Sequence, residues 1–103
     1  MSTQDLIAAA MDRFAAGDLD GAIVEVKKAI ADDPANADAY EMLGEFCKQS
    51  GRLDEAIACA TKLVEVDPSS LMGHVNLSRY YMLKGDKTTA EYWQEKARLL
   101  EKH

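Results

Sequence analysis

Cysteine, histidine and proline each occur only twice in this chain of 103 residues. The two histidines and two cysteines stand at unrelated spacings, which gives no zinc site. Cys47 and Cys59 both fall on apolar helical faces, where a free thiol behaves as a small hydrophobe. On antiparallel helices joined by a turn at Gly51 they would stand several residues out of register. At ~1.5 Å rise per residue that offset disfavours a disulfide. Buried structural thiols are expected, with a redox pair as the alternative. Catalytic motifs are also missing: there is no phosphate loop, no H-E-x-x-H, no C-x-x-C and no G-x-S-x-G. The many carboxylates sit at capping or solvent-facing positions. No enzyme activity, metal or cofactor is expected.

Long apolar runs are absent as well. Nothing approaches the ~20 residues needed to span a bilayer, so no membrane partner is expected. Met1 to Asp12 holds no basic segment followed by an apolar run. No secretory signal is therefore expected, and the cytoplasm is the expected compartment. Bases are in the minority, 12 Lys and Arg against 18 Asp and Glu, for a net charge of -6. That balance argues against nucleic acid. The charge is uneven: residues 3-36 and 37-70 are each strongly acidic, whereas 71-103 carry more bases than acids.

What the chain does have is periodicity. Gly17, Gly51 and Gly85 recur every 34 residues, as do Ala22, Ala56 and Ala90, and Pro34 with Pro68. Apolar residues make up 48%, the level of a packed domain. A period of this size is the mark of a helix-turn-helix solenoid, whose units bury their apolar faces only against neighbours. The length suits one domain, residues 1-103, divided into repeats 3-36, 37-70 and 71-103. Each repeat predicts two antiparallel helices, A then B.

The second repeat carries the pattern most clearly. Tyr40, Leu43, Gly44 and Cys47 follow the i, i+3, i+4, i+7 spacing of one helical face. Gly51 ends that helix, because glycine tolerates the positive φ common just past a helix end. Asp54 is expected to cap helix B, and Ala56, Ile57, Ala60, Leu63 and Val64 form its apolar face. Pro68 stops it. Small residues at Ala10, Gly44 and Ser78 in the A helices, and at Ala22, Ala56 and Ala90 in the B helices, predict close approach within each pair. Gly44 costs roughly 1 kcal/mol inside a helix, and a close contact would compensate. In the last helix, Thr88 and Glu91 suggest a capping box. Ala90, Trp93, Ala97 and Leu100 then form one apolar stripe with Gln94, Glu95, Arg98 and Glu101 on other faces. A single stripe implies a single partner, so the stack is expected to end there as a complete unit. His74 takes the slot of Leu6 and Tyr40 and is expected to pack in the core. His103 reads as a tail residue.

The stretches Ala-Asp-Ala-Tyr-Glu-Met-Leu-Gly (37-44), Ser-Gly-Arg-Leu-Asp-Glu-Ala-Ile (50-57) and Val-Asp-Pro (66-68) resemble the tetratricopeptide repeat, and the resemblance runs over residues 3-103. Repeat one departs from it at Leu6 and Ala9-Ala10. Repeat three departs at His74 and Lys102. The resemblance implies an all-α solenoid, with antiparallel helix pairs in a right-handed superhelix. It also implies a protein- or peptide-binding scaffold whose concave groove is lined by the A helices. By position that groove takes Gln4, Ile7, Met11 and Phe14 from the first repeat. It takes Asp38, Glu41, Met42, Glu45 and Lys48 from the second, and Met72, Val75, Asn76, Arg79 and Met82 from the third. The methionines suggest an adaptable surface.

One branch of the family clamps the acidic C-terminus of chaperone tails with lysine, arginine and asparagine. The clamp positions correspond here to Ile7, Met11, Met42, Met72 and Asn76, which implies no tight binding of such a tail. The expected partner is an apolar segment with a basic centre facing Asp38, Glu41 and Glu45. A second reading is self-assembly into a structural oligomer. There the row Ile7, Met11, Phe14 serves as an interface, or the acidic end of one chain meets the more basic end of another. A weak homodimer is the form it would take.

Overall fold

A computed structural model describes residues 1–102, so the reading of His103 lies outside the described residues. The chain forms six helices in order: α1 (Thr3–Ala15), α2 (Leu19–Asp32), α3 (Ala37–Gln49), α4 (Leu53–Val66), α5 (Leu71–Lys84) and α6 (Lys87–Glu101). They pack as three hairpins, α1 on α2, α3 on α4 and α5 on α6. The hairpins join through α2 against α3 and α4 against α5. None of these helices is long and apolar enough to cross a membrane.

Each hairpin turns the same way. Gly17, Gly51 and Gly85 adopt φ of 83°, 80° and 90°, a left-handed conformation open to glycine at little cost. The residue after each glycine donates its N–H back across the turn. Asp18 donates to the Arg13 carbonyl at 2.8 Å, Arg52 to Cys47 at 2.8 Å and Asp86 to Tyr81 at 2.9 Å. Each glycine N–H closes a second bond, to Phe14, Lys48 or Met82. This paired closure satisfies carbonyls that would otherwise be orphaned at the helix end.

The opposite ends are capped in register. Ser2, Asn36 and Ser70, 34 residues apart, accept from the first-turn N–H groups of α1, α3 and α5. Asp18 and Asp86 do the same for α2 and α6. Their equivalent for α4 is Arg52, which makes no side-chain cap and instead pairs with Asp20 at 3.3 Å. Two sequence expectations are corrected here. Asp54 is inside α4 rather than at its cap, and its carboxylate meets Lys84 at 3.1 Å. Thr88 is also within its helix, because α6 starts from Asp86, and Glu91 pairs with Lys87 at 3.8 Å instead of closing a capping box. In both cases the glycine turn starts the B helix earlier than the capping pattern implied.

Small residues meet inside the hairpins. Ala10, Ala22, Ala56 and Ala90 are fully buried. Ser78 donates its hydroxyl to the Ala90 carbonyl at 2.9 Å. Gly44 faces the α4 backbone, and a Cβ there would stand 3.4 Å from the Tyr80 hydroxyl, 3.5 Å from the Cys59 Cβ and 3.6 Å from the Ala56 carbonyl. Those are ordinary contacts, so the space fits one methyl. Gly73 is tighter: a Cβ would come within 3.0 Å of Val64 and 3.1 Å of Leu63. Gly73 thus marks a close approach of α5 to α4 between neighbouring hairpins.

Cys59 packs at the close approach beside Gly44, its Cβ 3.5 Å from where a Gly44 Cβ would stand. Both thiols are free, Cys47 buried and Cys59 partly so, and Cys47 Sγ lies 3.8 Å from a Glu55 carboxylate oxygen. Burial pushes the Cys59 thiol up to about 12, with the neighbouring Cys47 and Glu55 adding to the effect. His74 is buried as expected, with Nδ1 2.8 Å from the Ser70 carbonyl and its ring edge-on to Trp93. On α6, Ala90 and Ala97 are buried, and Trp93 and Leu100 are partly so.

These spacings separate two glycines that look alike in sequence. Gly44→Ala is expected to raise stability by up to ~1 kcal/mol, the helix-propensity difference. Gly73→Ala is expected to lower it, because Leu63 and Val64 must move together. Thermal unfolding followed by circular dichroism checks both. A loss of stability at Gly44 or a gain at Gly73 would contradict the packing described.

Candidate functional site

The shared register of Ser2 and Asn36 starts α1 and α3 at equivalent levels, so their outward rows run side by side. A groove of about 570 Å³ lies between them. Gln4, Ile7, Met11 and Phe14 line it from α1, at the 3-4-3 spacing of one helical face. Asp38, Glu41, Met42, Glu45, Phe46 and Gln49 line it from α3. Its floor is an aromatic pair, with the Phe14 and Phe46 rings stacked at 5.0 Å. Phe46 is buried, whereas Phe14 is 42% exposed and Met11 57% exposed. One wall is thus apolar and open, and the other carries three carboxylates at i, i+3 and i+7.

The carboxylates are not equivalent. Glu45 is already engaged. It accepts from the Tyr80 hydroxyl at 3.1 Å and pairs with Lys48 at 3.2 Å and Arg79 at 3.6 Å. Tyr80 is fully buried, so Glu45 supplies the partner that its hydroxyl needs. Burial, and after it the Glu45 charge, pushes the Tyr80 phenol well above its ordinary range. Asp38 and Glu41 have no ion-pair partner among the described residues. Glu41 is half-buried and its pKa is raised, first by burial and then by the charges of Asp38 and Glu45. Among the described residues, nothing pairs with the negative charge of Asp38 and Glu41 in the groove.

The third-repeat residues do not join this groove. Asn76 is 2% exposed and accepts from Arg79 at 3.4 Å, so it faces inward rather than onto a surface. Val75 and Arg79 line a separate depression of about 410 Å³ with Ser78, Gln94, Ala97, Arg98 and Glu101. Arg79 and Met82 line a third with Lys48 and Leu83. Met72 is exposed and lines none of these three. The reason is the bridge at Glu45: Lys48 and Arg79 close over it and separate the α1–α3 groove from α5. Sequence reasoning missed Phe46 and Gln49. Both extend the row that begins at Met42, at i+4 and i+7, so the signal was present.

The raised pKa of Glu41 has a definite sign. A carboxylate that binds its proton more tightly in the folded state favours folding below the ordinary carboxylate range. That contribution is lost as pH rises through the raised value. Glu41→Gln is therefore expected to raise the thermal midpoint at neutral pH, with the gain shrinking on acidification toward pH ~4. Paired melts of the variant and wild type check this. A gain that grows on acidification would contradict it.

A family model described as the tetratricopeptide repeat matches residues 13–86. Small glutamine-rich tetratricopeptide repeat-containing protein 2 of Mycosarcoma maydis is 44% identical over 54 residues, covering 52% of this chain and 15% of that protein. The crystal structure of MamA superposes with a TM-score of 0.94 at 26% identity, covering 98% of this chain and 59% of that one. The second repeat domain of Spaghetti (RPAP3), bound to the HSP90 peptide SRMEEVD, superposes with a TM-score of 0.88 at 20% identity, covering 97% of this chain and 93% of that one. The chain thus spans 15% of the curated relative's length and 59% of MamA's.

Proposed function

Because the chain belongs to the tetratricopeptide repeat family, we propose that it is a protein-binding module whose α1–α3 groove takes an apolar segment with a basic centre. The observation that carries this reading is the pairing of two surfaces in one groove. Exposed Met11 and Phe14 face Asp38 and Glu41, which have no cation of their own. Met11 and Met42 can repack around differing anchors. The anchors would supply most of the affinity, and the carboxylates would steer and select. The role proposed for the module is binding. The compartment proposed for it is the cytoplasm, where neighbouring thiols such as Cys47 and Cys59 stay reduced.

The contrast with the Spaghetti domain supports the same reading. That domain is seen with SRMEEVD, an acidic peptide. Here the positions that correspond to the family's cationic clamp hold Ile7, Met11, Met42, Met72 and Asn76. None can neutralise a carboxylate, and the groove itself is negative. An acidic tail would meet repulsion and a basic segment attraction.

Calorimetric titration with two probes tests this. The first is a short peptide with one lysine between two leucines at i, i+4, i+7 spacing. It is expected to bind, and the Asp38→Lys/Glu41→Lys double variant is expected to weaken it roughly tenfold or more. Glu45 is left intact, since its loss would strand the Tyr80 hydroxyl. The second probe, SRMEEVD, is expected not to bind at low-micromolar concentration, ~8 kcal/mol. Equal binding of the first peptide by wild type and double variant, or tight binding of SRMEEVD, would overturn the proposal.

A further inference from the structure

Lysine recurs at the 34-residue interval on the second helix of every hairpin, as Lys28, Lys62 and Lys96. Lys28 pairs with Glu25 at 3.6 Å and Lys62 with Glu65 at 3.5 Å. Lys96 has no carboxylate partner among the described residues. Its ammonium lies instead over the Tyr92 ring, 5.4 Å from the centroid. Tyr92 is 53% exposed and Leu99 45% exposed. Tyr92, Lys96 and Leu99 follow i, i+4, i+7 spacing and so form one ridge roughly 10 Å long on the outer face of α6. The matching positions are Val24 and Ala31 on α2, and Ala58 and Glu65 on α4. Only α6 flanks its lysine with two large apolar side chains.

We propose that this ridge of a second copy of the chain seats in the α1–α3 groove, with its α6 antiparallel to α3, Tyr92 on Met11 and Phe14, and Lys96 on Glu41. This rests on the groove reading above and names an occupant for it. Three features match. The ridge carries the apolar–basic–apolar order that the groove calls for. Its seven-residue span equals that from Ile7 to Phe14 and from Asp38 to Glu45. In the antiparallel setting, Lys96 lies four residues from Tyr92 as Glu41 lies four from Glu45, so the charges come level while Tyr92 reaches the Phe14–Phe46 floor. The parallel setting would put the Tyr92 ring beside Asp38 and Gln4 instead. Glu95, next to the ridge, is already held by Arg98 through two hydrogen bonds, so it adds little repulsion. Groove and ridge are different patches, so the contact is head-to-tail and extends or closes with added copies. It involves few anchors, which makes it concentration-dependent. It also occupies the groove that a partner would use.

Sedimentation velocity on the full chain across concentration tests this. Wild type is expected to gain mass with concentration, less so at high salt. Lys96→Glu and Glu41→Lys are each expected to weaken association roughly tenfold or more. An equal mixture of the two variants is expected to associate again, because each then meets an oppositely charged partner. A wild type that stays monomeric, or a mixture no more associated than either variant alone, overturns the proposal. Titrating the Lys96→Glu variant, whose groove is unaltered, with the lysine–leucine peptide separates the two readings. Peptide binding without wild-type association sinks self-docking and keeps the groove. Charge-reversible association with no peptide binding keeps self-docking and sinks the general groove reading.

Discussion

The left-handed turn at Gly17, Gly51 and Gly85 sets the geometry on which the other contacts depend. Each turn ends an A helix and starts its B helix two residues later, with the same pair of backbone bonds. That closure decides which residues meet across a hairpin. It brings Gly44 against Ala56, Ser78 against Ala90, and buries Ala10 and Ala22 completely. A side chain with a Cβ at any of the three turns would be strained by roughly 1 kcal/mol or more. Because the three turns are alike, the hairpins are alike, and their A helices begin at matching levels under Ser2, Asn36 and Ser70.

Matching levels create the groove, and one buried tyrosine limits it. The α1 and α3 rows face a shared space only because both helices start in register. The row does not continue onto α5, because Tyr80 is buried and its hydroxyl needs an acceptor. Glu45 provides it, and Lys48 and Arg79 gather on the same carboxylate. A structural requirement of the core thus divides the inner surface and leaves Asp38 and Glu41 as the uncompensated charges. On the proposed reading, function and stability pull apart at Glu41: a half-buried carboxylate between two others is costly to the fold, while the proposal uses its charge to attract a cation.

The repeat was legible in the sequence because glycine, alanine and proline recur at one interval for backbone and packing reasons that composition cannot hide. The helix starts were less legible. Asp54 and Thr88 are good capping residues by type, yet the turn starts α4 and α6 earlier, and the register Asp18, Arg52, Asp86 would have located them. Gly44 and Gly73 could not be told apart, since only the tertiary approach of Leu63 and Val64 distinguishes them. Of the candidate groove, helical spacing alone groups Ile7, Met11, Phe14, Asp38, Glu41, Met42 and Glu45, which line one shared space. It does not reveal the partners that lie far along the chain. Glu45 is claimed by a residue 35 positions away, and Asn76 turns inward. No local pattern announces either.

The central claim is that the α1–α3 groove receives a basic, apolar segment. Mapping by nuclear magnetic resonance tests it most directly. Backbone and side-chain shifts would be followed while the lysine–leucine peptide is added to the Lys96→Glu variant, which keeps the groove and removes self-docking. The account predicts that changes concentrate at Ile7, Met11, Phe14, Glu41, Met42 and Phe46, with intermolecular contacts from leucine methyls to the Phe14 ring. Changes centred on α5, α6 or the outer faces of α2 and α4, with the Phe14–Phe46 pair unmoved, would contradict it.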